Sequence, residues 1–166
     1  KLSEDVCSHP QHDDIYNKIV SSIAKRCNKY GTKVIMLPSA LPFSYASPHV
    51  WTCIVWFKNP PFEMAALDSN IQFMDNVLNG LNEADFLLYV GNDNIKDDPY
   101  LDYTLKKVIE LLTKTLDNEN LARVNQFLGQ HSEIFRNDFY KLVNKFELVE
   151  TIPFKDVYFY IYRKSL

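Results

Sequence analysis

Glycine is scarce in this sequence, with four residues among 166, and no two of them stand close together. A Gly-x-Gly-x-x-Gly loop and a Gly-x-x-x-x-Gly-Lys loop are therefore absent, and no Gly-x-Ser-x-Gly elbow occurs. These absences exclude a P-loop nucleotide hydrolase and a serine hydrolase built on a nucleophile elbow.

Cysteine and long apolar runs are also rare. Cys7, Cys27 and Cys53 are too few and too widely spaced for a disulfide framework, which favours reduced thiols and an intracellular protein, either cytoplasmic or nuclear. The longest apolar run, residues 50–57, is far shorter than the roughly 20 residues that a membrane helix needs, and the first residues lack a signal-peptide pattern. We expect a soluble protein without a membrane partner.

Neither sign of charge dominates, since 18 Lys and Arg face 21 Asp and Glu for a net charge of −3. Bulk charge therefore does not indicate a nucleic-acid surface, and any nucleic-acid partner would have to be held locally. Hydrophobic residues make up 46% of the chain, which is typical of a folded domain. The length predicts one α/β domain over residues 13–166, preceded by a polar arm over residues 1–12.

Apolar periodicity predicts strands that alternate with helices. The predicted strands cover residues 33–37, 50–57, 86–90, 147–150 and 156–162. The predicted helices begin at Asp13 or Asp14, at Pro60, at Pro99 and at Ser132, and residues 118–129 form a shorter helix or an irregular strand. This order predicts a Rossmann-like, doubly wound mixed α/β sheet that ends in an antiparallel strand pair.

Ligands of such sheets bind beyond the carboxyl ends of the strands, and three loops are predicted to converge there: residues 38–48, 58–62 and 91–98. Asn92 and Asp93 lie in the last of these loops and are candidate substrate-binding residues for an amine, a ribose or a cation. Their side chains equally suit an ordinary turn. The spacing of Cys7, His9 and His12 matches no zinc pattern, so we predict no metal site.

The sharpest local motif is Asn59-Pro60-Pro61-Phe62, which follows the predicted strand 50–57. Here the chain resembles the amino-group methyltransferases of the N6-adenine type, which use S-adenosylmethionine and carry an Asn/Asp-Pro-Pro-aromatic motif after a core strand. In that family the motif strand is followed by a helix, a strand, a helix and a terminal antiparallel pair. The predicted order from residue 50 onward is similar.

This resemblance implies specific roles for the motif. The side-chain carbonyl of Asn59 and the backbone carbonyl of Pro60 would be the catalytic groups that accept hydrogen bonds from an amine, with adenine in nucleic acid as the first candidate. Pro61 would help to hold these carbonyls in place, and Phe62 would stack on the substrate. The implied cofactor is S-adenosylmethionine.

Two alternatives stay open at this point. Asn59 and Pro60 also suit the start of a helix, with Phe62 packed into the core. In addition, the family's glycine-rich cofactor loop is missing, and no acidic residue closes an earlier strand. The chain is then either the carboxyl-terminal part of a longer enzyme or a non-catalytic module that binds another protein subunit, for example through the apolar segment 38–48.

Overall fold

The computed structural model of the chain describes residues 13–37, 51, 54–56, 58–66, 73–96, 110 and 114–166. Within these ranges, helices and strands alternate along the chain. The helices are α1 (Asp13–Ala24), α2 (Phe73–Glu83) and α3 (Asn118–Val143). The strands are β1 (Thr32–Met36), β2 (Phe62–Ala66), β3 (Phe86–Gly91), β4 (Phe146–Phe154) and β5 (Val157–Lys164).

The described strands form one mixed sheet of five strands in the order β2-β1-β3-β5-β4. β1 pairs in parallel with β2 and with β3, whereas β5 is antiparallel to both of its neighbours, β3 and β4. The prediction of an α/β fold with a mixed sheet is therefore confirmed, and so is the terminal antiparallel pair. Its turn is shorter than expected, because β4 continues to Phe154 and only Lys155 and Asp156 connect the strands.

Helices cover both faces of the sheet, because the strands are apolar on both faces. In β3, Phe86, Leu88 and Val90 point to one face and Leu87 and Tyr89 to the other. The first face packs against α1 and the second against α2 and α3. The residues that α1 buries are Ile15, Tyr16, Ile19 and Ile23, whereas α2 and α3 bury Val77, Leu81, Phe135, Phe139 and Val143.

The predicted strand over residues 50–57 is wrong. Trp51, Ile54, Val55, Trp56 and Lys58 have helical backbone, and Trp51 and Ile54 pack on the same face of the sheet as α1. The predicted start of the next helix at Pro60 is also wrong, because residues 62–66 form β2. The helix itself is present as α2, but it begins at Phe73. A short run that is apolar on every side is compatible with either structure, and here tertiary packing decides for a helix.

α3 is one continuous helix of 26 residues, whereas the sequence predicted two separate elements, residues 118–129 and a helix from Ser132. Asp117 caps its first turn, because its carboxylate accepts a hydrogen bond of 2.8 Å from the backbone N–H of Asn120. Gly129 costs the helix about 1 kcal/mol relative to alanine, which packing of Phe135 and Phe139 outweighs.

Several predicted features lie outside the described residues. They are the arm 1–12, the segment 38–48 and most of the helix that was predicted from Pro99, of which Glu110, Lys114 and Thr115 are described as helical. In the part of the chain that the structure describes, no helix is both long enough and apolar enough to cross a bilayer.

Candidate functional site

The candidate residues lie at opposite edges of the sheet. Residues 59–62 precede β2 and so lie at the amino ends of the parallel strands, whereas Asn92 and Asp93 follow β3 at the carboxyl ends. Phe62 pairs with Thr32, which lies two residues before Val34, and Val34 pairs with Phe86. Asn92 lies six residues after Phe86, so Phe62 and Asn92 are separated by eight residues along the strand direction. At about 3.3 Å per residue the two groups are roughly 26 Å apart along the strands. The prediction that loops 58–62 and 91–98 converge is therefore wrong.

At the carboxyl edge the chain reverses its direction across the sheet. It passes from β1 outward to β2 and then returns past β1 to β3, so that β2 and β3 lie on opposite sides of β1. In open α/β sheets, ligands bind at such a reversal, beyond the carboxyl ends of the two adjacent strands, which are β1 and β3 in this chain. Leu37 and Val90 are buried at the ends of these strands, and Asn92 and Asp93 are exposed beyond them.

The turn after β3 is held by its own side chains and by the sheet. Asp93 Oδ1 accepts a hydrogen bond of 2.8 Å from the backbone N–H of Asn94. Asn94 Oδ1 in turn accepts a hydrogen bond of 2.9 Å from the backbone N–H of Lys96. The buried N–H of Ile95 donates to the Tyr162 hydroxyl over 3.0 Å. This anchoring presents Asn92 and Asp93 on a fixed backbone, as ordinary turn chemistry and a ligand site both require.

Asn59 ends a helix instead of starting one. Its backbone has φ of 41°, in the left-handed region, and its N–H donates to the Val55 carbonyl over 2.9 Å. This bond and this conformation define the common αL cap, in which the residue after the helix is usually glycine and sometimes asparagine. The alternative that Asn59 begins a helix is therefore wrong, because Asn59 ends the helical segment before it and strand β2 follows.

The other motif residues line the start of β2. Pro60 is partly buried and Pro61 is exposed, whereas Phe62 is only 5% exposed and belongs to the core that α1 covers. A ring that is packed in this way has no open face on which a base could stack. Pro60 and Pro61 instead border a groove of about 1130 Å³, which Asn59 also lines.

Two aromatic side chains in this groove were missed from the sequence. Tyr30 is fully exposed, and Trp56 is 74% exposed. Trp56 was assigned to a buried strand, in which its ring would be covered. On a helix, Ile54 lies three residues after Trp51 and turns to the same buried face, which leaves Trp56 on the outer face. A helical interpretation of residues 51–58 would therefore have found it.

Asp85 lies beside the groove and joins three strands at the amino edge. Its carboxylate forms an ion pair of 2.6 Å with the Lys29 ammonium and accepts a hydrogen bond of 2.9 Å from the Lys33 backbone N–H. Its carbonyl oxygen accepts from the backbone N–H of Lys164 over 2.8 Å. Partial burial alone would raise the pKa of Asp85, but the bonds from Lys29 and Lys33 and the nearby charges of Lys29 and Lys164 hold it below its usual value.

A second polar cluster joins α1 to β4. Glu150 accepts hydrogen bonds from the Ser22 hydroxyl and, over 2.8 Å, from the Arg26 guanidinium, and the Lys25 ammonium lies 3.7 Å away. The bond from Ser22, followed by that from Arg26 and the charge of Lys25, lowers the pKa of Glu150 below its ordinary value, although burial opposes the shift. Because Arg26 also binds the Ser22 hydroxyl and carbonyl, this cluster is occupied by its own contacts.

The described residues offer neither a metal centre nor an activated thiol. No group of three or more His, Cys, Asp or Glu side chains among them is arranged to hold a metal ion. Burial raises the pKa of the Cys27 thiol, and the Thr32 hydroxyl only partly opposes this effect. Cys27 is therefore a poor nucleophile at neutral pH.

The chain was also compared with known proteins. No family model matches it, and neither the curated proteins nor the solved structures contain a match to the chain.

Proposed function

We propose that this chain is a methyltransferase-like domain of Rossmann-like architecture that binds S-adenosylmethionine in the crevice between the carboxyl ends of β1 and β3. The observation that carries this proposal is the reversal of the chain between these two strands. The terminal pair, in which β5 lies antiparallel between β3 and β4, agrees with the end of the element order in the family that the sequence resembles, although the motif of residues 59–62 precedes a strand instead of following one.

The described residues of this crevice fit such a ligand in their chemistry. S-adenosylmethionine, when bound, supplies a methyl group carried on a positively charged sulfur. The carboxylate of Asp93 and the side-chain carbonyl of Asn92 are hydrogen-bond acceptors for hydroxyl or amino groups, and the negative charge of Asp93 favours a cationic ligand. The proposed acceptor is an amino group, with adenine in nucleic acid as the first candidate.

Asn59 and Pro60 have no place in this site, because they lie at the other edge of the sheet. The amine would instead be held by residues at the carboxyl edge. Residues at the carboxyl edge would position the amine and accept hydrogen bonds from its N–H groups, and S-adenosylmethionine, when bound, would supply the methyl group.

Calorimetric titration with S-adenosylmethionine and S-adenosylhomocysteine tests the proposal. We expect micromolar binding, weakened about tenfold or more in the double variant Asn92→Ala/Asp93→Ala, because hydrogen bonds to a charged group are lost. The matched control is Asn137→Ala/Asp138→Ala, an adjacent and exposed pair of the same residues on α3. No heat from the folded protein, or equal losses in both double variants, would contradict the proposed site.

A second candidate is a non-catalytic module that binds a partner. The specific observation in its favour is the pair of exposed aromatic rings, Tyr30 and Trp56, in the groove at the amino edge. Aromatic side chains are enriched in binding surfaces. Failure of methyl transfer from labelled S-adenosylmethionine to adenine-containing oligonucleotides, together with capture of a stoichiometric partner, would favour this candidate.

A further inference from the structure

Tyr158 presents an aromatic ring beside the proposed ligand site at the carboxyl edge. It is 42% exposed, and it pairs with Gly91 of β3, the residue that precedes Asn92. Paired residues of antiparallel strands have Cα atoms about 4.5–5.5 Å apart, and consecutive Cα atoms are about 3.8 Å apart. The Cα atoms of Tyr158 and Asn92 are therefore within about 9 Å of each other.

Buried tyrosines support this ring from one side. The ring centroids of Tyr158 and Tyr160 are 6.0 Å apart, and Tyr160 in turn stacks on Tyr89 of β3 at 6.4 Å. Tyr160 and Tyr89 are both buried, so the inner rings of this row have a fixed position. Tyr160 has the ring of Tyr89 opposite to it, whereas Tyr158 faces Gly91, which has no side chain. Tyr158 is therefore the exposed end of the row, where the flat ring of a ligand can stack.

The turn after β3 lies on the same face of the sheet as these rings. Tyr158 and Tyr162 occupy alternate positions of β5, on the face that α2 and α3 cover. Ile95 packs into the core on that face, where its N–H donates to the Tyr162 hydroxyl over 3.0 Å. The turn thus leaves the sheet at Gly91, beside Tyr158, and returns to it at Tyr162. Residues 92–93 lie between these two points, on the side of the exposed ring.

We propose that a nucleobase with an amino group stacks on Tyr158, and that the side-chain carbonyl of Asn92 accepts a hydrogen bond from this amino group. This inference rests on the proposed function, because it names the substrate class of the same site and the residues that select it. The methyl acceptor is then a base and not an aliphatic amine. The stacking role that the sequence resemblance gave to Phe62, which is buried, belongs to Tyr158.

The position of β5 in the sheet assigns Tyr158 to the acceptor and not to S-adenosylmethionine. The proposed crevice lies between β1 and β3, and β5 lies on the far side of β3. Since neighbouring strands are about 4.8 Å apart, β5 is about 7 Å from the middle of the crevice. A ligand in the crevice and a base on Tyr158 would therefore lie on the two sides of the end of β3, next to each other.

Ring and carbonyl together select the acceptor. Every base has a flat face that can stack on Tyr158, whereas an aliphatic amine has none. The side-chain carbonyl of Asn92 is a hydrogen-bond acceptor, which favours a base with an exocyclic amino group. Thymine has no such group, so it can stack on the ring but cannot donate to Asn92 in this way. Adenine satisfies both residues.

Fluorescence anisotropy tests the inference without requiring activity. The probe is a labelled short oligothymidylate with one central adenine, added to the full chain with S-adenosylhomocysteine, and an all-thymine strand is the comparison. We expect tighter binding of the adenine strand, and a loss of about 5- to 150-fold in its affinity for Tyr158→Ala. Tyr158→Phe should keep most of the affinity, because a ring remains. Asn92→Ala should remove the preference for adenine over thymine.

Leu148→Ala is the matched control for the loss of a half-exposed side chain. Leu148 is 48% exposed, and it pairs with Tyr162 on the same face of the terminal strand pair, nearer to the amino edge. This variant should bind the adenine strand as the wild type does. Circular dichroism shows whether each variant is folded.

Calorimetric titration with S-adenosylhomocysteine separates this inference from the proposed function. Tyr158→Ala should bind this ligand as the wild type does, because Tyr158 lies outside the crevice. A folded wild type that gives no heat would contradict the proposed function, and the inference with it. If the wild type gives heat, three results overturn the inference alone: equal affinities of wild type and Tyr158→Ala for the adenine strand, equal affinities of the wild type for both strands, or weaker binding of S-adenosylhomocysteine by Tyr158→Ala.

Discussion

Replacing Asn59 tests whether this residue caps a helix, as the structure indicates, or contacts the substrate, as the sequence motif alone suggests. The residue adopts φ of 41° after a helical segment, and its N–H donates to Val55. Its backbone conformation is open to glycine at no steric cost, tolerated by asparagine, and unfavourable for alanine by about 1–2 kcal/mol. If the cap is the main role of Asn59, its replacement by glycine should be nearly neutral and its replacement by alanine costly.

We expect Asn59→Gly to change the free energy of unfolding by less than about 0.5 kcal/mol, because glycine is the preferred residue at this cap position. Asn59→Ala should lower that free energy by about 1 kcal/mol, because the left-handed backbone conformation is less unfavourable for asparagine than for alanine. For a domain of this length the loss corresponds to a fall of about 2–4 °C in Tm. Urea and thermal denaturation followed by circular dichroism measure both variants against the wild type.

Binding assays on the same variants complete the test. Both should bind S-adenosylmethionine as the wild type does, because Asn59 lies at the edge of the sheet opposite to the proposed crevice. A glycine variant that folds with full stability but no longer transfers a methyl group to its amine would refute this reasoning. It would show that the Asn59 side chain touches the substrate, as the sequence motif alone suggested.

Three further predictions concern stability. Because the pKa of Glu150 is held below its ordinary value by Ser22 and Arg26, its stabilising effect is present above the unfolded-state pKa of about 4.3 and is lost as the pH falls through its folded-state pKa. Thermal melts of wild type and Glu150→Gln should therefore differ at pH 7 and converge in acid, and a constant difference would contradict this. Lys155→Gly should raise the free energy of unfolding by about 0.5–1 kcal/mol in urea titrations, because Lys155 has φ of 52° in the two-residue turn between β4 and β5; a destabilised variant would show that its side chain matters more. Phe139→Ala should cost about 3–5 kcal/mol in the same titrations, since Phe139 is fully buried between α3 and the sheet, and a loss below about 1 kcal/mol would contradict that packing.

Local patterns of apolar residues predicted much of the fold. The stripe of Ile15, Ile19 and Ile23 recurs at helical spacing, and it lies on the buried face of α1. The strands β1 and β3 were found because short apolar runs were bounded by glycine, proline or turn residues. The terminal pair was found for the same reason. In each of these cases the neighbours along the chain and the tertiary packing favour the same structure.

Residues 50–57 were misassigned because their two signals conflict. Valine, isoleucine and tryptophan favour a strand, but strand propensity depends strongly on the surroundings. In the folded chain Trp51 and Ile54 cover the sheet from one side, a task that suits a helix. Once that strand was assumed, Asn59 and Pro60 had to begin the next helix, and Trp56 had to be buried. One error in a local assignment thus placed the motif residues 59–62 at the wrong edge, whereas Asn92 and Asp93 lie at the carboxyl edge as predicted.

The sequence by itself determined that the chain forms an α/β sheet with buried strands, covering helices and an antiparallel end, because hydrophobic periodicity is a local property. It also determined that asparagine and two prolines would mark the boundary of an element. Only the tertiary structure decided the order of the strands, and with it which loops share an edge. Strand order depends on contacts between residues far apart in the chain, such as Val34 with Phe86 and Leu88 with Ile161, and no local pattern encodes those pairings.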